Sequence, residues 1–167
     1  MRPCRFKTTF IDRIDRGDII RDFKNILFAT DFSASSDYAF EYAHALAKRC
    51  NSKLLILHVI NEPVDLRGFY VPHISFDKLE EEIEEGAQKM METFCRTHIK
   101  DYDNYETFIV PGIPYDEVIR KAVEESADLI VLGTHGRTGL DHVLFGSTAE
   151  KVVRKSPIPV MTIRTKE

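Results

Sequence analysis

The stretch DLIVLGTHGRTGLDHVLFGST, residues 128–148, decides the fold of this chain. It begins with a short apolar run, typical of a buried strand, and continues through glycines at positions 133, 136 and 146. Ser147 and Thr148 then open an amphipathic helical pattern. Glycines admit close backbone approach, and a helix N-terminus offers unpaired N–H groups with a partial positive charge. The order strand, glycine-rich loop, helix start therefore indicates a phosphate-binding loop.

A loop whose glycines merely turn the chain is the competing interpretation. The loop is not a Walker loop, because no Gly-Lys-Ser/Thr closes it. It is not the dinucleotide fingerprint, because no Gly-x-Gly-x-x-Gly follows the first predicted strand. The hydroxyl pair at the helix start and the strand–loop–helix context strengthen the case for phosphate binding, and a simple turn stays an open alternative.

Four other apolar runs lack clear alternation, as strands covered on both faces do. The five predicted strands are Asn25–Thr30, Lys53–Ile60, Glu106–Val110, Asp128–Leu132 and Val160–Arg164. The helical patterns between and after them are Ser35–Cys50, Phe76–Lys100, Pro114–Ser126 and Gly146–Lys155. Four strand–helix alternations predict an open, doubly wound α/β domain with a parallel sheet and right-handed crossovers.

Two of these helices carry more detailed expectations. Ser33, Ser35 or Ser36 is suited to cap the first helix. The second helix has an acidic face, Glu80 to Glu85, which we expect to be solvated, and two methionines, Met90 and Met91, which we expect to fill the core.

Composition bounds the remaining possibilities. A chain of 167 residues with 43% hydrophobic residues fits one domain. A net charge of −4 opposes a nucleic-acid-binding face, and no apolar run reaches the roughly 18 residues of a membrane span. Three scattered cysteines suggest neither a zinc site nor a disulfide framework and fit a reducing cytoplasm. The first 24 residues carry seven Lys/Arg against four Asp, so we expect an N-terminal extension, 1–22, beside a domain at 23–167.

In a doubly wound sheet, ligands bind beyond the carboxyl ends of the strands. Asp31 directly follows the first predicted strand, where a carboxylate can accept hydrogen bonds from ribose, face a metal, or cap the next helix. His135 and Arg137 lie in the glycine loop; Arg137 is suited to a phosphate contact or to a solvent-facing position. No Gly-x-Ser-x-Gly elbow supports a serine hydrolase, and we identify no catalytic residue.

Several motifs together resemble the universal stress protein family. They are KNILFATDFS at 24–33, LHVI at 57–60, VPGIP at 110–114, the loop from Gly133 to Thr148, and VRKSPIPV at 153–160. The resemblance runs from Phe23 to Arg164 and implies a Rossmann-like sheet with strand order 3-2-1-4-5.

Some members of this family bind ATP and others do not, and the spacing Gly-x-x-Gly, nine residues, Gly-Ser/Thr resembles that of the binders. The resemblance implies a cofactor, ATP or AMP/ADP, with Mg²⁺ or Mn²⁺ bound through the phosphates. It also implies a homodimer through the last strand. The residues implied to hold phosphates, ribose or adenine, together with Arg137, are Thr30, Asp31, Val59, Gly133, Gly136, Gly146, Ser147 and Thr148. Ala29 stands where many binders have proline.

The leading prediction is a cytoplasmic ATP-binding stress or signalling module that contacts a nucleotide, a second copy and an unidentified protein, but neither nucleic acid nor membrane. A slow ATPase or phosphotransfer enzyme is the alternative, although the loop has no evident general base and no Walker lysine. A phosphoacceptor receiver domain fits the fold but requires carboxylates where residues 110–112 read Val-Pro-Gly. RNA binding through Gly-x-x-Gly is opposed by the acidic domain.

Overall fold

The computed structural model of the protein describes residues 23–61, 76–135 and 146–165. The strands are β1 Asn25–Thr30, β2 Lys53–Asn61, β3 Tyr105–Gly112, β4 Leu129–Gly133 and β5 Val160–Ile163. The helices are α1 Ala34–Cys50, α2 Phe76–His98, α3 Pro114–Glu124 and α4 Ser147–Lys155. Every predicted strand and helix is present, with ends displaced by at most two residues. The expected N-terminal extension, 1–22, lies outside the described residues.

The five strands form one parallel sheet in the order β3-β2-β1-β4-β5, which confirms the predicted fold and strand order. The last pair between β1 and β2 joins Thr30 to His58. Pairing between β2 and β3 continues for three more residues, to Asn61 and Gly112. The carboxyl edge of the sheet therefore has a step at its centre, where β1 ends before β2.

Helices cover both faces of the sheet. On one face α1 and α2 pack through Phe40, Met91 and Phe94 against Phe28 of β1, with ring centroids of Phe40 and Phe94 4.9 Å apart. On the other face the buried residues of α3 and α4 include Val118 and Val152. Full burial of one such side chain contributes about 1.5–3 kcal/mol, so the two clusters fix the helices to the strands.

The start of α1 shows which serine acts as the cap. Ser33 has extended backbone angles, and its hydroxyl accepts the Ser36 N–H at 3.2 Å. Among the three serines predicted as caps, Ser33 therefore has this role, while Ser36 is buried within the first turn. The helix ends at Asn51, which adopts the left-handed conformation (φ 54°) that commonly closes helices.

One prediction about α2 is wrong. Its acidic residues are largely exposed as expected, and Met91 is buried, but Met90 is 41% exposed instead of filling the core. Leu79 and Ile83, one and two turns from the N-terminal end, are exposed as well. The middle of α2, from Ile83 to Met90, borders a cavity at the carboxyl edge of the sheet. Within the described chain no helix has the length and apolarity needed to cross a membrane.

Candidate functional site

A cavity of about 680 Å³ opens at the carboxyl ends of β1, β2 and β4. The N-termini of α3 and α4 and one side of α2 complete its walls. The structure brings most of the predicted site residues to this cavity: Thr30, Asp31, Val59, Gly133, Gly146, Ser147 and Thr148. Gly136 and Arg137, also predicted for the site, lie outside the described residues.

The turn between β1 and α1 is held by hydrogen bonds among its own polar residues. Asp31 Oδ1 accepts from the N–H of Ser33 at 3.1 Å and from its hydroxyl at 2.6 Å. Thr30 Oγ1 accepts the Phe32 N–H at 3.0 Å and lies 3.1 Å from Ser36 Oγ. Asp31 thus supports the capping serine of α1, without being the cap itself, and it also lines the cavity.

Phe32 adopts a left-handed backbone (φ 59°), which is rare for a bulky residue. Its ring packs on His58, with centroids 4.4 Å apart, and His58 Nδ1 donates to Thr30 O at 2.8 Å. The aromatic contact and the hydrogen bonds around Thr30 hold this uncommon geometry. They also fix Asp31 relative to the end of β2.

Gly133 ends β4 where α1 passes close by. A Cβ atom built on Gly133 would lie 3.0 Å from Ser35 Oγ and 3.2 Å from Ser35 O. Contacts this short are tighter than most Cβ contacts, so a side chain here would require Ser35 or its backbone to shift by a few tenths of an ångström. Glycine here is therefore explained by the packing of α1 against the strand end, in addition to its place in the cavity wall.

Thr134 connects β4, β5 and the start of α4, and its place in the site was not predicted from the sequence. It is 4% exposed, its N–H donates to Ile163 O at 2.9 Å, and its carbonyl accepts the Gly146 N–H at 2.7 Å. Its hydroxyl contacts His135 Nδ1 at 2.9 Å, and both residues line the cavity. The sequence feature that could have pointed to Thr134 is a hydroxyl residue between a buried strand and a glycine loop.

The N-terminus of α4 opens into the cavity. Gly146 is the N-cap with ordinary angles (φ −66°, ψ 156°) and no side-chain cap. The first intrahelical bond runs from the Glu150 N–H to Gly146 O at 3.0 Å, so the N–H groups of Ser147, Thr148 and Ala149 have no acceptor within the helix. Because the Gly146 N–H already donates to Thr134, these three groups carry the anion-binding character of this end.

Charged side chains are sparse in the cavity wall. Asp31 is the one carboxylate among the described lining residues, and His58 and His135 are the titratable rings. Across the ranges that the structure describes, no three His, Cys, Asp or Glu side chains form a metal-binding group. The arrangement therefore suits an anionic ligand that approaches a helix N-terminus and meets a single carboxylate.

Six further lining residues come from α2 and α3, and sequence reasoning missed them. They are Ile83, Gly86, Ala87, Met90, Pro114 and Val118. Periodicity shows which face of a helix is apolar, but it does not show whether that face covers a sheet or borders a cavity. The one local signal was a glycine inside the otherwise regular pattern of α2.

Comparison with known proteins identifies the family. Residues 22–164 match the sequence profile of the universal stress protein family. The chain belongs to this family. Universal stress protein MJ0577 of Methanocaldococcus jannaschii is 31% identical over 157 residues, which cover 86% of this chain and 96% of that protein. Universal stress protein YxiE of Bacillus subtilis is 33% identical over 147 residues, with 85% and 99% coverage.

Solved structures of universal stress proteins show the same fold. The structure of MJ0577 superposes with a TM-score of 0.76 and covers 87% of this chain and 98% of that one. A universal stress protein crystallised in complex with cAMP is 26% identical, with a TM-score of 0.55 and coverage of 86% and 98%. The likeness of this universal stress protein to these relatives covers 85–87% of its chain.

Proposed function

We propose that this universal stress protein is a nucleotide-binding module that holds ATP, or its products AMP and ADP, in the cavity at the carboxyl edge. The N-terminus of α4 carries the proposal: three N–H groups without intrahelical acceptors and the hydroxyls of Ser147 and Thr148 meet in one cavity with Asp31. Unpaired N–H groups and the helix dipole favour phosphate. A carboxylate close by suits ribose hydroxyls, which are donors.

The order of the strands gives the ligand a direction. The start of α4 lies next to β4 through the Thr134 hydrogen bond, Asp31 follows β1, and Val59 stands near the end of β2. Since β1 lies between β4 and β2, phosphates at α4 place the ribose near Asp31 and the base towards β2. The proposal also assigns Gly136 and Arg137 of the glycine loop to the phosphate end.

The relatives agree with a nucleotide ligand. One solved universal stress protein, 26% identical to this chain, is in complex with cAMP, an adenine nucleotide. Its likeness covers 86% of this chain and 98% of that one. We therefore extend adenine-nucleotide binding to this protein as part of the proposal.

A divalent ion fits the site only together with the ligand. The described residues offer the Asp31 carboxylate and the hydroxyls of Ser147 and Thr148, which are oxygen ligands of the kind that Mg²⁺ accepts. Mg²⁺ is usually held by one or two carboxylates plus substrate phosphates. In our proposal Mg²⁺ or Mn²⁺ is bound through the phosphates and Asp31, where it neutralises phosphate charge.

We propose that binding, rather than turnover, is the function, in a cytoplasmic stress or signalling role with a protein partner. A slow ATPase remains the alternative.

We also propose a homodimer through β5: this strand lies at the edge of the sheet, and its Met161 is 37% exposed. Edge strands with exposed apolar residues favour pairing with another chain.

Calorimetric titration with Mg-ATP, alongside phosphate release, tests this function. A side chain in Gly146→Val obstructs approach to the α4 N-terminus. Loss of two or three charge-assisted hydrogen bonds, at about 1.5–3 kcal/mol each, should weaken binding at least ~100-fold. Asp31→Ala should weaken it less, because the α4 end remains. Arg154→Val, exposed on the same helix, is the control and should bind like the wild type.

Two results would contradict the proposal. Unchanged ATP affinity in Gly146→Val would place the phosphates elsewhere. Phosphate release faster than about one per second, the range of dedicated enzymes, would favour the ATPase alternative over a binding module.

A further inference from the structure

One side of α2 forms an apolar wall of the cavity. The α2 residues that line the cavity are Ile83, Gly86, Ala87 and Met90, and their spacing places them on one face of the helix. Ala87 is 6% exposed, but the larger Ile83 and Met90 are 45% and 41% exposed. None of these side chains carries a hydrogen-bonding group other than the weakly accepting thioether of Met90. The wall therefore suits the flat face of an apolar ring.

Gly86 stands in the middle of this wall. It lies inside α2, where glycine is the least favourable residue after proline. Its φ is not positive, and a Cβ atom built on it meets no described atom within 4 Å. Neither the backbone conformation nor packing within the described protein therefore requires a glycine. A group from outside the chain that approaches the helix backbone closely is a common use of such a glycine.

The position of α2 identifies that group, provided that the phosphates lie at α4 as proposed above. Helix α2 packs on β2 and β3, on the far side of β1 from α4. Neighbouring strands are about 4.8 Å apart, so β2 and β4 are separated by roughly 10 Å. A nucleotide with phosphates at α4 and ribose near Asp31 thus directs its base to the wall of α2.

We infer that the face of the nucleobase lies against Ile83, Gly86 and Met90, and that Gly86 provides the room for this contact. The base is a planar heteroaromatic ring, which gains from burial against apolar side chains. The thioether of Met90 adds a favourable contact with an aromatic ring. This surface rests on the proposed nucleotide function and deepens it, because it assigns the base end of the cavity to α2.

Titrations with ATP, AMP and inorganic tripolyphosphate in the presence of Mg²⁺ test this inference on the full chain. Gly86→Leu fills the space beside the helix. It should lower the affinities for AMP and ATP by a common factor of about tenfold or more and leave tripolyphosphate, which has no base, unchanged. Gln88→Leu adds the same side chain at an exposed position outside the cavity wall and should bind all three ligands like the wild type.

Each other outcome has a definite meaning. Affinities of Gly86→Leu for AMP and ATP within about twofold of wild type would overturn the α2 surface and leave the phosphate end intact. An equal loss for tripolyphosphate would overturn it too, because the effect would then not come from the base. A wild-type protein that binds neither nucleotide refutes the proposed function itself. Should Gly86→Leu not fold, Gly86→Ala decides: lower AMP affinity in a more stable protein supports the inference, and unchanged affinity overturns it.

Discussion

Gly86→Ala tests whether the glycine at position 86 lowers the stability of α2 while leaving space at one wall of the cavity. An interior glycine destabilises a helix by about 0.5–1 kcal/mol relative to alanine. The usual opposing term is a clash of the new methyl group, and here the built Cβ meets no described atom within 4 Å. We therefore expect the full gain, which corresponds to a rise in Tm of about 1–4 °C for a chain of this size.

Thermal unfolding of the ligand-free protein by circular dichroism or calorimetry measures this gain. Gln88→Ala is the matched control, because glutamine is already a good helix former and Gln88 is exposed on the same helix; its Tm should barely change. At saturating AMP, the advantage of Gly86→Ala should shrink, because ligand stabilisation of the native state grows with the logarithm of ligand concentration over Kd and the variant has the higher Kd. A lower Tm for Gly86→Ala without ligand would show that the position is filled and would refute the reasoning.

Three further predictions concern pH, the extension and assembly. Burial, with a smaller contribution from the charge of Lys48, lowers the pKa of the His44 imidazole. Protonation then favours the unfolded chain, so the free energy of unfolding should fall as the pH drops below about 6.5. Denaturant titrations at pH 5.5 and 7.5 measure this change, which should be smaller in His44→Gln than in the wild type. An equal change in both proteins would contradict the role of His44. Deletion of residues 1–22, whose basic balance opposes the acidic domain, should lower Tm or dissociate the dimer, whereas identical behaviour in both assays would make the extension passive. Light scattering at micromolar concentration should give a dimer mass that Met161→Lys reduces to a monomer, and a monomeric wild type would exclude the β5 interface.

Most of the fold could be predicted from local patterns. Strands buried on both faces read as unbroken apolar runs, and β1 agrees with its prediction to the residue. The cap at Ser33 follows from the chemistry of hydroxyl side chains before a helical pattern. The candidate site was predictable where residues directly follow strands, as Asp31 does, because parallel topology brings all carboxyl ends to one edge.

The wall supplied by α2 could not be predicted in the same way. An amphipathic pattern has the same appearance whether its apolar face covers a sheet or borders a cavity, so Met90 was expected in the core. The difference depends on where α2 lies relative to the end of the sheet, which is a long-range property of the fold. Thr134 was missed for a related reason, since its partners Ile163 and Gly146 come from separate parts of the chain.

The step in the sheet has a consequence for how selectivity evolves. In the described sheet β1 has no residue opposite Val59, Ile60 or Asn61, so β2 is there a short edge strand that faces the cavity. Edge strands present main-chain donors and acceptors in a fixed row. A ligand that hydrogen-bonds to these main-chain N–H and C=O groups is recognised by atoms that every residue type except proline carries in full. Substitutions of side chains can change the walls of this cavity. Most substitutions at positions 59–61 leave the main-chain groups at this edge of β2 in place, whereas a proline or a change in strand length would alter them.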